Sequence, residues 1–541
     1  MRLREVLSVL SKSSALAVTT QNAVADEEFL QIKRYLHVKT EIEEAFESTL
    51  KELRADQVLF LCGSSGDGKS EILTRYSKKY GERIDFHLDA THSFDPDETA
   101  IEALNRLFDE NARSQKPLVV GINIGMLANF AREGSEHLNS VKSAINTFLT
   151  GKPQPTDKIQ FLDFEAFPKF RFDREEVSAP FFSKLINQVV VEDKGNRFND
   201  YLIGEIQLAN QGDRLLVSNF LLLRDATVQK CIVELLLNAR IKRDQFITAR
   251  MLLDFIYCLL TGPNPLFDNL FLGGENELLQ SIAEFDPSVI RTQELDQFIL
   301  HRQLEIENHA FSEYVEECAE KYSLVLPSKL SPASLCRLMF ITYRAELNSQ
   351  YPKQFEPAFS QSRVSLYRTI WNAHWAYDGE AEKKASLRRF YSDLVFKAVT
   401  NFANRNAEYL GKDVFFTSQH GDITLAAEAE LSVDYKKIAA DATAKNPSVH
   451  SFNLHLKVND TPLLPIPMNA NLLDLMLRVV DGFRPNKYEQ NSVVLLDELV
   501  NEIVEKVSNG DTLKFFKSGE EIAKLKNVDE GEEFRVGGYR A

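Results

Sequence analysis

Four short apolar runs mark the first third of the chain, and segments with helical periodicity separate them. Val58–Cys62, Ile84–Leu88, Leu118–Ile122 and Ile159–Leu162 read as buried strands. Glu71–Lys79 and residues from about 98 to 112 read as helices, and another helix follows Ile122. This alternation predicts a parallel sheet with helices on its faces. Residues 1–52 read as an amphipathic helical segment that ends in a charged helix near Ile42–Leu53.

From about Phe181 to Leu260 the pattern is almost purely helical, and Gly262-Pro263-Asn264-Pro265 is a strong breaker. Residues 266–410 are again mainly helical. Beyond Gly411 the texture shifts. Val414–Phe416, Ile423–Leu425 and Leu464–Met468 read as strands, and about 470–482 and 493–507 as helices. Asn446-Pro447-Ser448 and the chain beyond Asn527 are expected to be loops or frayed ends. The expected division is 1–52, 53–262, 263–410 and 411–541, the last a smaller α+β domain.

Composition narrows the picture modestly. With 541 residues, the chain exceeds what one core supports. Its 44% hydrophobic and 26% charged residues are those of an ordinary globular protein. A formal charge of -16 excludes a surface that is basic throughout, so contact with DNA needs a local patch or a partner. Cys62, Cys231, Cys258, Cys318 and Cys336 form no C-x-x-C pair and sit in apolar runs, as reduced buried thiols do. Arg2 and Arg4 precede leucines, but Ser8, Ser11, Lys12, Ser13 and Ser14 interrupt any signal-peptide core. No run reaches the roughly 18–20 apolar residues of a membrane span. The reading is cytoplasmic.

The chemistry concentrates after the first strand, in Gly63-Ser64-Ser65-Gly66-Asp67-Gly68-Lys69-Ser70. This G-x-x-x-x-G-K-[ST] pattern, placed between a strand and a helix, is that of a phosphate-binding P-loop. Glycines let backbone N–H groups turn onto phosphate oxygens, Lys69 places a cation among them, and Ser70 supplies a hydroxyl ligand for Mg²⁺. The expected ligands are ATP, or a related nucleotide, and Mg²⁺. Hydrolysis also requires an acid at the metal or the attacking water. The strand Leu118–Ile122 ends in Asn123, a polar sensor-like residue, where an aspartate is usual. Asp89 and Asp163, the latter followed by Glu165, are the candidate acids, and Asp163 follows the cleaner strand.

Three further features bear on function. In Phe246-Ile-Thr-Ala-Arg-Met-Leu-Leu253, Arg250 opens an apolar helix where AAA-type ATPases place a sensor arginine in a helical lid; a surface arginine at a helix end is the simpler reading. Val493-Val-Leu-Leu-Asp497-Glu498 imitates a Walker B strand. However, Leu496, Leu499, Val500, Ile503, Val504 and Val507 continue it with helical spacing, so it is rejected. Residues 363–405 carry eight basic and four acidic residues among Trp371, Trp375, Tyr377, Phe390 and Tyr391. That mixture suits either a grip on nucleic acid or, more economically, an amphipathic helix. The fold expected is thus an α/β P-loop NTPase, an AAA/ASCE-like parallel sheet with helical lid, followed by a mainly helical region and the α+β domain.

Four segments together resemble the DptF (DndF) family: Leu61–Leu73, His87-Leu-Asp-Ala-Thr-His-Ser-Phe-Asp-Pro96, Gly121-Ile-Asn-Ile-Gly-Met-Leu127 and Phe246–Leu253. The resemblance spans most of the chain but is thin beyond about residue 410. It implies an ATPase-like subunit of bacterial DNA phosphorothioation-dependent restriction, acting with DptG and DptH on DNA that lacks the mark. Gly63–Ser70 carry over as nucleotide ligands, and no nuclease residues carry over. DNA contact through the complex and self-association are both compatible with this reading, which sets no choice between ATP and GTP.

Overall fold

The structure, a computed structural model, describes residues 2–13, 31–32, 34–90, 98–114, 116–149, 158–167, 169–172, 177–208, 212–243, 247–324, 330–360, 363–411, 413–443, 448–484, 490–508, 512–527 and 534–537. Thr91–Pro96, Phe246, Asn446 and Pro447, which carry readings above, lie outside the described residues.

The chain divides into two compact units. The first comprises 1–171, 177–240 and 245–359; the second comprises 172–176, 241–244 and 360–541. The breaks expected at 262 and 410 fall inside the first and second unit respectively.

The first unit is built on β1 (Val58–Cys62), β2 (Asp85–His87), β3 (Leu118–Ile122) and β4 (Ile159–Asp163). They form one sheet of order β2-β3-β1-β4 with every pairing parallel. The two-residue strand period sorts the side chains onto two faces. Val58, Phe60, Cys62, Leu118, Val120 and Ile122 meet Leu104, Phe108, Leu127, Phe130 and Ile145 from the helices on one side. Leu59, Leu61 and Val119 meet Ile42, Phe46, Leu50, Ile72, Leu73 and Tyr76 from Glu41–Glu52 and Lys69–Tyr80 on the other. Because both faces are covered, β1 and β3 read as unbroken apolar runs rather than alternating ones.

Local chemistry sets the helix ends. Thr99 caps Ala100–Asn111 by accepting from the Glu102 N–H while Glu102 reaches back to Thr99. The helices that follow, from Pro180–Val190 through Ala249–Thr261, form the helical part of the same unit. The N-terminal segment packs into this unit rather than standing apart. Arg2 and Arg4 pair with Glu205 and Asp213, and Glu41–Glu52 covers the sheet.

In the second unit, Val414–His420, Ile423–Glu428, Thr512–Lys517, Glu520–Asn527 and Phe534–Gly537 form a five-stranded antiparallel sheet beside several helices. The strand Phe534–Gly537 corrects the expectation of loop or frayed chain beyond Asn527. Four residues have no strand signal of their own until a neighbour supplies the hydrogen-bonded ladder. Asp497 lies in the helix Gln490–Ser508, where Leu496, Leu499, Val500, Ile503 and Val507 are buried, as the helical spacing required.

All five cysteines are free thiols. Among the described residues no helix is long and apolar enough to cross a membrane, and no His/Cys/Asp/Glu group is arranged to hold a metal ion.

Candidate functional site

Strand β1 sits inside the sheet with β3 on one side and β4 on the other, so the chain changes sides around its carboxyl end. Open α/β sheets bind ligands at such a switch point. Cys62 is level with Ile122 on β3 and with Asp163 on β4, which sets Gly63 beside Asn123 and Phe164. Asp89 lies one strand further out, past the end of β2, where the Ala90 N–H donates to the Gly121 carbonyl at 3.0 Å. Sheet topology thus brings Gly63–Ser70, Asn123, Asp163 and Asp89 to one edge.

The loop leaves β1 with the Gly63 N–H donating to the Ile122 carbonyl at 3.3 Å. Gly66 and Gly68 have φ of 86° and 102°, the left-handed region that favours glycine. Gly68 starts the helix Lys69–Tyr80, whose positive dipole end and first-turn N–H groups face the loop. A Cβ on Gly63 would lie 2.8 Å from Phe164 Cδ2, so only glycine lets the loop pass that ring.

The Lys69 ammonium donates to the carbonyls of Gly63 at 2.8 Å and Ser64 at 2.7 Å, which holds it across the loop. Partial burial pulls its pKa down, and the negative charges of Asp67 and Asp89 oppose that shift. Ser70 is exposed in the first turn, Ser65 is exposed on the loop, and Ser64 is half-buried.

Asp67 plays a part that its place in the motif does not show. Its side chain is only 4% exposed, and one carboxylate oxygen accepts from the Ser64 N–H at 2.7 Å. The other accepts from Lys169 Nζ at 2.6 Å. Sequence reading missed Lys169, and no local signal points to it, because 102 positions separate the partners.

Asn123 Oδ1 accepts from the Met126 N–H at 2.6 Å and caps the helix Ile124–Glu133. Asp163 accepts from the Glu165 N–H at 3.1 Å. Partial burial raises the pKa of Asp163, and the nearby Asp67 charge adds to the rise. Glu165 is raised for the same first reason, with Arg240 opposing. Asp67 and, less strongly, Asp89 are the carboxylates whose charges act on Lys69; the charge of Asp163 acts on the Cys62 thiol.

The helix Ala249–Thr261 brings Arg250 to this loop from far along the chain. The Arg250 N–H donates to the Gly66 carbonyl at 3.3 Å, and Thr248 caps the helix at its Met251 N–H. A Cβ on Gly66 would lie 3.1 Å from Thr248 Oγ1 and 3.5 Å from Arg250 Cβ. Thr248, too, escaped sequence reading.

Of the aromatic residues of 363–405, Trp371, Tyr377 and Tyr391 are buried and Trp375 and Phe390 half-buried, and Trp371 Nε1 donates to the Ser448 carbonyl. Their spacing follows a helix core, with Lys383 paired to Asp378 and Glu380 on the solvent side. The second unit also holds an open cavity of about 1480 Å³ with six basic and five acidic side chains on its walls, a balance that selects no ligand charge.

The loop combines two positive-φ glycines, a helix N-terminus and a held lysine, the backbone and charge elements of an anion site, with carboxylates of opposite effect nearby. No protein-family model, curated protein or solved structure matches this chain.

Proposed function

We propose that Gly63–Ser70 is a P-loop for ATP with Mg²⁺ and that the chain is an ATPase-like subunit of a bacterial DNA phosphorothioation-dependent restriction complex. In this reading it works with DptG- and DptH-type partners on DNA that lacks the mark. The observation that carries the nucleotide reading is the loop itself: glycines at positive φ between a buried parallel strand and a helix, with Lys69 held across it. The restriction role rests on the residue segments that resemble the family.

The residues present fit the ligand. Lys69 and the loop N–H groups would hold the phosphates. Ser70, with Asp89 or Asp163, would hold the Mg²⁺, which neutralises phosphate charge when bound. Asp163 stands level with Cys62 on the strand beside β1, and Asp89 lies past the end of β2, one strand further out; either acid can serve in this reading. Asn123 and the lid residue Arg250 flank the same phosphates in this reading.

A second reading, a nucleotide-dependent scaffold without turnover, is favoured by one observation. The residue at the tip of the strand beside β1 is Asn123, whose side-chain oxygen is engaged in capping a helix.

Lys69→Ala is expected to abolish binding of a fluorescent ATP analogue and restriction of unmarked DNA, with the melting temperature unchanged. Full restriction by that variant overturns the proposal. Phosphate release, measured with DNA and both partners present, separates the two readings. The ATPase reading expects turnover that replacement of the serving acid, by Asp89→Ala or Asp163→Ala, eliminates. No release from the wild-type assembly leaves the scaffold.

A further inference from the structure

The Asp67 carboxylate is an unusual component of a loop meant for phosphate. It is buried, and it adds negative charge where a polyanion must approach. Two contacts account for its presence. Through the Ser64 N–H it ties the start of the loop to its middle at 2.7 Å, and a Cβ added at Gly63 would lie 3.1 Å from the same oxygen. Through Lys169 it meets a cation at 2.6 Å whose own side chain is only 21% exposed. Lys169 follows β4 by six residues, so the strand that flanks the loop also delivers the counter-charge.

The surrounding charges show why that cation matters. Asp163 and Glu165 lie close enough to feel the charge of Asp67, and Glu165 and Lys69 feel that of Lys169. Without Lys169, the carboxylates of Asp67, Asp163 and Glu165 would crowd the base of the loop, with Arg240 acting on Glu165 and Lys69 as the cation of the loop itself. Lys69 would then be drawn toward them and away from phosphate. A buried carboxylate stripped of its partner would also stop serving as a neutral brace for the Ser64 N–H.

We propose that Lys169 is a positioning residue of the nucleotide site, acting through Asp67: it cancels the Asp67 charge so that this side chain braces the loop without repelling phosphate. This rests on the nucleotide reading of Gly63–Ser70. It predicts a specific pattern of rescue. Lys169→Met leaves Asp67 charged and unpaired and should weaken binding of a fluorescent ATP analogue about tenfold or more. Lys169→Arg keeps the charge and should stay within about threefold of wild type. Asp67→Asn keeps an oxygen for the Ser64 N–H and needs no counter-charge. Asp67→Asn/Lys169→Met should therefore bind as tightly as Asp67→Asn alone.

The measurement is equilibrium titration of the full chain with the analogue and Mg²⁺, with thermal melting of each variant. Equal binding by wild type and Lys169→Met overturns the proposal. So does a double variant that remains as weak as Lys169→Met, because the lysine would then act other than through Asp67. If Lys169→Met does not fold, the pair Asp67→Asn and Asp67→Asn/Lys169→Met decides: equal affinity supports the proposal, and a tenfold difference overturns it. Absence of binding by wild type is a separate result, which removes the nucleotide reading and this inference with it.

Discussion

Asn123 occupies the strand tip beside the loop and also caps the next helix, and these two roles make separable demands on its side chain. The cap uses Oδ1, which accepts from the Met126 N–H. Replacement by alanine removes that acceptor and should lower stability by about 1 kcal/mol. Asn123→Asp keeps an oxygen for the cap but exchanges the amide N–H₂ for negative charge. If the amide faces phosphate, that variant should melt like wild type yet lose turnover or nucleotide affinity. Parallel melting and phosphate-release measurements separate the roles, and an Asp variant with full activity excludes the sensor role. At this scale the motif was legible in the sequence, since its glycines, lysine and serine are contiguous. The work of Asp67 was not, because a carboxylate's meaning depends on a cation that only folding brings near.

At the level of elements, the loop depends on how the helix Lys69–Tyr80 lies on the sheet. Gly121 in β3 permits that approach. A Cβ there would collide with Leu73 Cδ1 and lie 2.9 Å from the Leu88 carbonyl oxygen. Gly121→Ala should therefore displace the helix, cost about 1–3 kcal/mol and weaken nucleotide binding in step. Gly68→Ala is a useful contrast. Nothing lies within 4 Å of its added methyl, but φ is 102°, so the cost is in the backbone, about 1 kcal/mol. Urea midpoints for the two variants check this, and an unshifted midpoint for Gly121→Ala counts against the packing argument. The strands β1 and β3 were legible because burial on both faces makes them continuous apolar runs. The terminal strand Phe534–Gly537 was not, since its pairing partner rather than its composition makes it a strand.

For the molecule as a whole, the two tryptophans supply a reporter of one unit, because Trp371 and Trp375 both belong to the second. That unit also holds a buried histidine. His374 is 4% exposed, its Nδ1–H donates to the Ile370 carbonyl at 2.9 Å, and the Tyr391 hydroxyl donates to its Nε2 at 3.0 Å. Burial, with a smaller contribution from the neighbouring His455, pushes its pKa from 6.5 down to about 4. A histidine whose folded pKa is depressed is stabilising while neutral. That stability is present above pH 6.5 and is lost as pH falls toward 4, because the unfolded chain takes up the proton first. The loss is on the order of 3 kcal/mol. Tryptophan-detected urea midpoints should fall across this window in wild type and fall less in His374→Phe. Identical slopes would remove His374 as the cause.

The sequence alone determined the alternation of strands and helices, the glycine–lysine loop and the helical nature of the segment around Asp497. Each of these is written in neighbouring residues: a period of two or 3.6, a contiguous motif, an apolar stripe. Only the tertiary structure decided which strands flank β1 and that Arg250 and Lys169 meet the same loop. Those facts depend on side chains brought together across long stretches of chain by burial of two apolar sheet faces, and hydrophobic burial is set by area and leaves no local spacing to read. The loop was visible as a motif. Its brace, its counter-charge and its contact with Arg250 exist only once the sheet has formed.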